Sequence, residues 1–383
     1  MRKVLPVGII LLFVGVSVVS GYQMHSNLQP LNRGWLYVGG SGPGNYTSIQ
    51  DAVDNATDGD MVFVYNGTYY EVLVVNKTID LIGEDRNTTV IDGGWGTYVV
   101  DVSSDGVTIS GFTIQSGVYG IRLVSSSNNT IMGNTASNNY YGIVLEYSSN
   151  NIIMGNTASN NYYGIVLDSS SNNNIIMGNT ASTNYRGIIL WSSSNNIVTG
   201  NNVSSNEGGI VLDSSSNNNT VTGNNVSNNS YGITLWSSSN NNIIEGNNAS
   251  NNGNGIRLAC SSNNTISGNN ASNNDFAGIE LLQSHSNIIV DNHITNNYYG
   301  INLSDSNNIV QKNNFLNNEQ DAYFLYDRIS AALFQRNRWK QNYWNRPRIL
   351  PKLIFGEIKI DYYNKIHWFN IDWRPALKSY DIP

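Results

Sequence analysis

The order of apolar and polar residues in the middle of the chain repeats every 22 or 23 residues. Each copy contains a Gly-Ile pair followed by alternating positions. After Gly142, Ile143 and Leu145 are predicted to face inward, and Val144 and Glu146 outward. Alternation with a period of two is typical of a β-strand. The glycines of these pairs are Gly120, Gly142, Gly164, Gly187, Gly209, Gly232, Gly255, Gly278 and Gly300.

Two further short apolar segments complete each copy. One has Ile or Val two residues before the next glycine, as at Ile131 and Ile153, and the other has a small apolar residue, as at Ala136 and Ala158. Three strands and three corners in about 22 residues predict one coil of a solenoid, in which each strand pairs with its copy one coil later. Parallel crossovers favour the right hand. The sequence therefore predicts an all-β fold, a right-handed parallel β-helix of eleven to twelve coils with 22–23 residues each.

One asparagine recurs at the same point of every copy. Stacked amides can hydrogen-bond from coil to coil, and asparagine tolerates left-handed corners. We therefore interpret this file as structural. Its members are Asn134, Asn156, Asn179, Asn201, Asn224, Asn247, Asn269, Asn292 and Asn313.

Residues 35–117 lack the repeat and are predicted to form an N-terminal cap with the first coils. Ser48–Asn55 is predicted to be a short helix that covers the first coil, which would otherwise expose a strand edge. The predicted strands are Met61–Tyr65, Val72–Val75, Ile79–Ile82 and Val90–Asp92, with Val107–Ile114 leading into the repeats at 118–318.

The cap carries a resemblance to a known family. It reads SIQDAVDNATDGD from Ser48, GTYYEVLVVNK from Gly67, LIGE from Leu81 and TVIDGG from Thr89. This order resembles the opening of pectin-lyase-like β-helix proteins, and the repeats resemble NosD-type domains, also described as carbohydrate-binding and sugar-hydrolase domains. The resemblance implies the β-helix fold. Its functional implication is broad, because the family includes enzymes, binding proteins, copper-accessory proteins and adhesins.

The terminal segments, the charge distribution and the cysteine count limit the possible location and partners of the protein. Arg2 and Lys3 precede an apolar run that ends near residue 20, so residues 1–20 are predicted to be a signal peptide or an N-terminal anchor. Residues 319–383 form a basic, aromatic tail that is predicted to cover the last coil or to dock on an anionic envelope polymer; the rest of the chain is acidic. The acidic body argues against nucleic acid, and the single cysteine, Cys260, excludes an internal disulfide.

The outward position four residues after each glycine carries carboxylates and tryptophans. By coil spacing, Glu146 and Asp168 should lie about 5 Å apart, and Asp168 and Asp213 about 10 Å. Carboxyl separations in this range are typical of glycosidases, so these three residues are the candidate catalytic groups. Trp191 lies between Asp168 and Asp213, and Trp236 follows.

An aromatic file is predicted beside these residues. Tyr119, Tyr141 and Tyr163 share one position, and Arg186 replaces the next tyrosine. Flat rings can hold a polysaccharide, so these four residues, with Trp191 and Trp236, are the candidate substrate-binding groups. Ladder packing, glycan binding and catalysis all remain open as explanations. A neighbouring outward file varies freely, with Arg122, Val144, Thr234, Arg257 and Glu280.

No dedicated metal site is predicted, although calcium and copper remain open. Met132, Met154 and Met177 are predicted to lie in register, and thioethers suit Cu(I). Four carboxylates of the N-terminal cap could supply oxygen ligands for calcium, but their spacing matches no recognisable calcium-binding loop. They are Asp58, Asp60, Glu84 and Asp85.

Together these features predict an extracellular or cell-surface β-helix protein that binds an extended polysaccharide or envelope glycan on its lateral face. Its membrane association would come only through the N-terminal segment. The alternatives are a polysaccharide lyase or hydrolase, a structural envelope or adhesion module, and a NosD-like copper-accessory protein.

Overall fold

The computed structural model describes residues 34–304, 307–328, 336–360 and 364–382. The predicted signal peptide or anchor at residues 1–20 lies outside this part of the chain. Within the described ranges the structure contains one helix and 39 strands, and no helix there is long and apolar enough to cross a membrane.

The helix α1 (Ile49–Asn55) begins one residue after its predicted start and ends where predicted, and the cap residues explain its position. Ser48 is the N-cap, and its side chain accepts a hydrogen bond from the Asp51 amide. The Glu71 carboxylate accepts from the backbone amides of Ile49 and Gln50, which have no partner within the helix.

The other end of α1 is held in the same way. The Lys77 ammonium donates to the carbonyl oxygens of Val53, Asp54 and Ala56, where the helix dipole favours a cation. Two charged residues of the GTYYEVLVVNK segment thus fix both ends of the cap helix over the first coil.

The strands before the repeats include two, β1 and β3, that the alternation did not predict. The full set is β1 (Trp35–Val38), β2 (Met61–Val64), β3 (Gly67–Tyr70), β4 (Leu73–Val75), β5 (Asp80–Gly83), β6 (Thr89–Val102), β7 (Thr108–Ser110) and β8 (Thr113–Val124).

Each later coil contributes two three-residue strands and one longer strand. The first short strands are β9 (Thr130–Met132), β12 (Ile152–Met154), β15 (Ile175–Met177), β18 (Ile197–Thr199), β21 (Thr220–Thr222), β24 (Ile243–Glu245), β27 (Thr265–Ser267), β30 (Ile288–Val290), β33 (Ile309–Gln311) and β36 (Arg338–Lys340). The second short strands are β10 (Thr135–Ser137), β13 (Thr157–Ser159), β16 (Thr180–Ser182), β19 (Asn202–Ser204), β22 (Asn225–Ser227), β25 (Asn248–Ser250), β28 (Asn270–Ser272), β31 (His293–Thr295), β34 (Asn314–Leu316) and the two-residue β37 (Tyr343–Trp344).

The longer strands carry the outward residues of interest. They are β11 (Tyr141–Glu146), β14 (Tyr163–Asp168), β17 (Arg186–Trp191), β20 (Gly208–Asp213), β23 (Tyr231–Leu235), β26 (Asn254–Ala259), β29 (Ala277–Leu282), β32 (Tyr299–Ser304) and β35 (Gln320–Tyr326). The strands of the repeats pair in parallel with their copies one coil later, as Ile143 does with Ile165 and Leu145 with Leu167. The predicted all-β parallel β-helix is therefore confirmed.

The solenoid has about 13 turns, more than the eleven to twelve expected. The difference arises because coils continue past residue 319 with larger inward residues. Trp339 lies in register with Val310, and Trp344 with Phe315. The chain then ends in an antiparallel hairpin of β38 (Lys352–Lys359) and β39 (Lys365–Asp372), whose first strand pairs with β35.

Asparagine ladders line all three corners of the coil, where one was predicted. The predicted file is buried, and Asn156 shows its contacts: its Oδ1 accepts from the Asn134 amide, and its Nδ2 donates to Ile131 O. The left-handed residue at this corner is the preceding glycine, such as Gly155 at φ 63°, and not the asparagine. The two further ladders begin at Asn129 and Asn139 and hydrogen-bond from coil to coil in the same way.

Candidate functional site

The lateral face consists of the outward side chains of β8, β11, β14, β17, β20, β23, β26 and β29. Strand register divides them into three files. The tyrosine file is Tyr119, Tyr141, Tyr163, Arg186, Gly208 and Tyr231. The middle file is Arg122, Val144, Val166, Ile189, Val211, Thr234, Arg257 and Glu280. The carboxylate file is Glu146, Asp168, Trp191 and Asp213, with Trp236 directly after β23.

Most of the middle file is buried although it faces away from the coil interior; Arg122 and Arg257 are partly exposed. Val144, Val166, Ile189 and Val211 are at most 2% exposed and form a second apolar cluster. Side chains of the two flanking files pack over this cluster, namely Tyr119, Tyr141, Tyr163 and Trp191. The file faces outward, as predicted, but it does not vary freely at these four positions, because the rings that cover them favour aliphatic residues.

The tyrosine rings stack on one another along the solenoid. The ring centroids of Tyr119 and Tyr141 are 5.0 Å apart, and those of Tyr141 and Tyr163 5.2 Å, with interplanar angles of 9° and 15°. A second stack runs beside it through Tyr140 and Tyr162, 4.8 Å apart. Ring faces inside these stacks contact other rings, so the stacks present edges and hydroxyl groups outward.

Burial keeps these phenols neutral over a wide pH range. It raises the pKa of Tyr141 to about 12, and it also raises the pKa of Tyr119 and Tyr163. Trp191 is oriented differently, because its ring meets Tyr163 edge-to-face at 77°. The lateral face therefore combines neutral hydroxyl donors with one tryptophan that lies across the stacking direction.

Each of the three candidate carboxylates has a partner within the protein. Glu146 Oε2 accepts from Arg122 Nε at 2.9 Å and from Nη2 at 2.7 Å. Asp168 and Asp213 each accept from the amide of the next residue, at 2.6 Å in both cases. The register places Glu146 beside Asp168, as predicted, one coil apart. No contact among these carboxylates distinguishes a general acid from a nucleophile.

Arg122 also reaches back to the coil before it. Its Nη1 is 3.3 Å from Asp101 Oδ1. Burial raises the pKa of Asp101 and outweighs the opposing effect of Arg122. Asp101 was not among the candidates, because β6 lies before the repeat and its register could not be aligned from the Gly-Ile pairs.

Arg186 fills a gap in the tyrosine file. The next position is Gly208, and a Cβ there would collide with the Arg186 side chain, which lies across it. The guanidinium carbon is 4.6 Å from the Tyr185 ring centroid and 5.2 Å from that of Trp236. Arg257 approaches Trp236 from the other side, at 6.0 Å, and forms an ion pair with Glu280 at 2.8 Å.

The methionine file predicted on the first short strands is present in register. Met154 pairs with Met132 on one side and with Met177 on the other. Met132 is 36% exposed and Met177 38%. Within the described ranges, no group of three or more His, Cys, Asp or Glu side chains is arranged to hold a metal.

The four carboxylates considered for calcium act as caps in this structure. Asp60 accepts from the amides of Gly34 and Thr57, and these contacts lower its pKa despite desolvation. Asp58, Glu84 and Asp85 accept from backbone amides at the following corners: Thr78, Asn66 and Asn87.

Comparison with solved structures supports the class of fold. The Dettilon tailspike protein aligns with a TM-score of 0.60 at 16% identity, over 80% of this chain and 68% of that one. The A-module of the Azotobacter vinelandii mannuronan C-5 epimerase AlgE4 gives a TM-score of 0.44 at 15% identity, over 73% and 86% of the two chains. The periplasmic alginate epimerase AlgG gives a TM-score of 0.45 at 18% identity, over 66% of this chain and 78% of that one. The strand register and the tailspike alignment together show a pectin-lyase-like parallel β-helix fold.

Family comparison is more specific. The model of the family described as "Periplasmic copper-binding protein (NosD)" matches residues 53–230 and 214–352. The chain belongs to the NosD family. No curated protein matches it.

Proposed function

We propose that this protein binds an extended carbohydrate along its lateral face. The observation that carries the proposal is that the outward side chains of successive coils lie in register along that face. Its hydroxyl, carboxylate and indole groups recur in files at about 4.8 Å per coil. A polymer that lies along the solenoid axis can make the same kind of contact several times, so that weak individual contacts add up.

The contacts available to such a polymer follow from the ring geometry. Stacked tyrosines offer hydroxyl edges, which donate and accept hydrogen bonds with sugar hydroxyls. Trp191 is the aromatic group best oriented to meet a sugar ring, since it lies across the stack beside Tyr163. The proposal therefore assigns hydrogen bonding to the tyrosines and apolar contact to Trp191.

The proposed location is the cell envelope or the exterior. The basic residues and the apolar run at residues 1–20 support export. The NosD family is described as periplasmic, which also supports it. A glycan of the envelope or of the surroundings is the partner that this location offers.

A glycan array tests the proposal. Wild type should bind at least one extended polysaccharide, and Trp191→Ala and Tyr163→Phe should weaken that binding. Ile197→Ala is the matched control, because Ile197 is 41% exposed on β18 of the same coil but away from the lateral face. Absence of binding to every glycan would contradict the proposal and favour a purely structural envelope or adhesion module.

Catalysis is tested on the glycans that bind. The register of Glu146 with Asp168 is the observation in favour of a lyase or hydrolase. We expect neither reducing ends nor unsaturated products, because the carboxylates already accept hydrogen bonds from Arg122 and from corner amides. Product formation that disappears in Asp168→Asn would establish an enzyme instead of a binding protein.

Copper binding is a second candidate, favoured by the exposed methionine file. Three thioethers on adjacent coils can provide soft ligands for Cu(I). Titration of the protein with Cu(I) against a competing chelator, in wild type and in a Met132→Leu, Met154→Leu, Met177→Leu triple variant, tests it. Binding that the triple variant loses would support this candidate, and equal behaviour of the two proteins would exclude the file as the site.

A further inference from the structure

Hydrogen-bond donors without an acceptor gather at one point of the lateral face. Thr234 is 1% exposed, and its Oγ1 is enclosed with no hydrogen-bond partner. The indole Nε1 of Trp236, two residues later, is enclosed and has no partner either. Ser239 Oγ, at the next corner of the same coil, is a third such group. Buried polar groups in native proteins are nearly always satisfied, so three in one coil require an explanation, and the first two lie on the lateral face.

The positively charged side chain of Arg186 lies beside these groups. It is 7% exposed, and its guanidinium forms no hydrogen bond or ion pair with any residue that the structure describes. The other two arginines of the face differ in this respect, because Arg122 pairs with Glu146 and Arg257 with Glu280. Aromatic rings stabilise a cation only in part, so a buried guanidinium without a carboxylate is costly.

The fold brings these three side chains together from two coils, Arg186 on β17 and the other two at β23, with the coil of β20 between them. Arg186 extends across Gly208 toward the next coil, over Val211. Val211 is the register neighbour of Thr234, and the ring of Trp236 lies against the guanidinium. Arginine and indole nitrogens only donate, and a threonine hydroxyl can donate, so the missing partner is an acceptor with negative charge.

We propose that Arg186, Thr234 and Trp236 form an oxyanion subsite for an acidic sugar, a uronate carboxylate or a sulfate ester, within the carbohydrate bound on the lateral face. This subsite rests on the proposed function. A guanidinium binds a planar carboxylate or a sulfate through paired hydrogen bonds. No polar contact holds the Arg186 guanidinium, so its side chain can turn from the Trp236 ring toward the ligand, and the proposal requires this movement to open Thr234 Oγ1 and Trp236 Nε1.

The neighbouring carboxylates make the subsite selective along the polymer. Glu146 and Asp168 lie in coils before Arg186, and Asp213 lies one coil after it. An acidic group placed beside these carboxylates is repelled, whereas one placed at Arg186 is attracted. The face therefore accommodates an anionic residue at one position and neutral residues at the adjacent ones.

Calorimetric titration with paired oligosaccharides tests the subsite. The probes are oligouronates and sulfated galactan oligosaccharides, each beside its carboxyl-reduced or desulfated counterpart. Wild type should bind the acidic member of at least one pair about tenfold or more tightly than the neutral member, as expected for a charge-assisted contact. The uronate and sulfate arms identify which oxyanion is recognised.

Three variants locate the preference. Arg186→Met keeps the length of the side chain and should abolish the preference for the acidic member. Thr234→Val is isosteric and should reduce it. Arg338→Met, an exposed arginine on β36, is the matched control and should leave it intact. Thermal denaturation of each variant shows that the fold is retained, and loss of an unpaired buried cation should not lower Tm.

The outcomes separate the two proposals. Equal binding of acidic and neutral members would overturn the oxyanion subsite and leave carbohydrate binding in place. A preference that persists in Arg186→Met would overturn the assignment to these residues. No binding of any oligosaccharide would overturn the proposed function together with the subsite.

Discussion

Arg122 and Glu146 join adjacent coils through two hydrogen bonds to a single carboxylate oxygen. Nε and Nη2 of the arginine donate to Oε2 at 2.9 and 2.7 Å. The side chains are 26% and 19% exposed, so the pair is partly screened by solvent. Asp101, on the other side of Arg122, gives the arginine a second carboxylate in the preceding coil.

Replacement of the Glu146 carboxylate measures what the Arg122–Glu146 pair contributes to stability. Glu146→Gln should lower the free energy of unfolding by about 1 kcal/mol, because a partly exposed ion pair contributes little more. Chemical denaturation checks this value. Glu207→Gln, an exposed glutamate before β20, is the control and should change stability by less than about 0.5 kcal/mol. Equal effects of the two substitutions would show that the pair contributes nothing to stability.

The cap helix depends on charges at both its ends. Lys77→Met removes the donor to three carbonyl oxygens at the end of α1, and should destabilise the cap by about 1–3 kcal/mol. Hydrogen exchange should then increase at the amides of β2 and β4, which α1 contacts. Lys378→Met, far from α1, provides the control. Unchanged exchange in Lys77→Met would contradict the role of the lysine.

Alkaline pH should destabilise the tyrosine stack. Burial raises the pKa of Tyr141 to about 12 in the folded protein, above its unfolded value of about 10. The fold thus prefers the protonated phenol, and this contribution is complete below pH 10 and disappears as pH rises toward 12. Absorbance at 295 nm and circular dichroism, recorded together, should show late ionisation coupled to loss of structure. Tyr141→Phe should weaken the alkaline dependence, and an unaltered profile would contradict it.

The asparagine ladders should be the least tolerant part of the corners. Asn156→Leu removes the side-chain acceptor of the Asn134 amide and the side-chain donor to Ile131 O in a buried corner. Two such losses should cost about 2–5 kcal/mol of the free energy of unfolding. Asn202→Leu serves as the control, since Asn202 is exposed on β19. A cost below that of the control would show that the ladder is not required.

Much of the fold followed from periodicity alone, because a solenoid repeats its local contacts in every coil. The register of Ile143 with Ile165, and of Met132 with Met154, needed only the spacing of the Gly-Ile pairs. The same reasoning stopped where the pattern changed residue size. Trp339 and Trp344 continue the inward files, but they are much larger than the Ile, Val and Ala that define the repeat, so the pattern did not identify them.

The candidate site was predictable as files of residues but not as contacts. Outward direction was correct for Val144, yet its burial depends on which way Tyr141 and Trp191 turn, and side-chain torsions are not encoded in the repeat. Likewise, Arg186 was identified as the replacement for a tyrosine. Its position over Gly208, beside Trp236, emerges only from the packing of three successive coils.

Two coils near the end of the repeat place residues other than glycine at a left-handed corner. Gly268 occupies this corner at φ 62°, and Asp291 and Lys312 replace it in the next coils at 54° and 55°. A left-handed conformation costs a residue with a Cβ about 1–2 kcal/mol, whereas glycine loses about 0.5–1 kcal/mol through the unfolded state. Lys312→Gly should therefore raise the free energy of unfolding by up to about 1 kcal/mol. The reverse change, Gly246→Lys at φ 61°, is the matched control and should lower it by a similar amount. Chemical denaturation of both variants tests the argument, and a destabilised Lys312→Gly protein would show that the lysine side chain contributes more than its backbone strain removes.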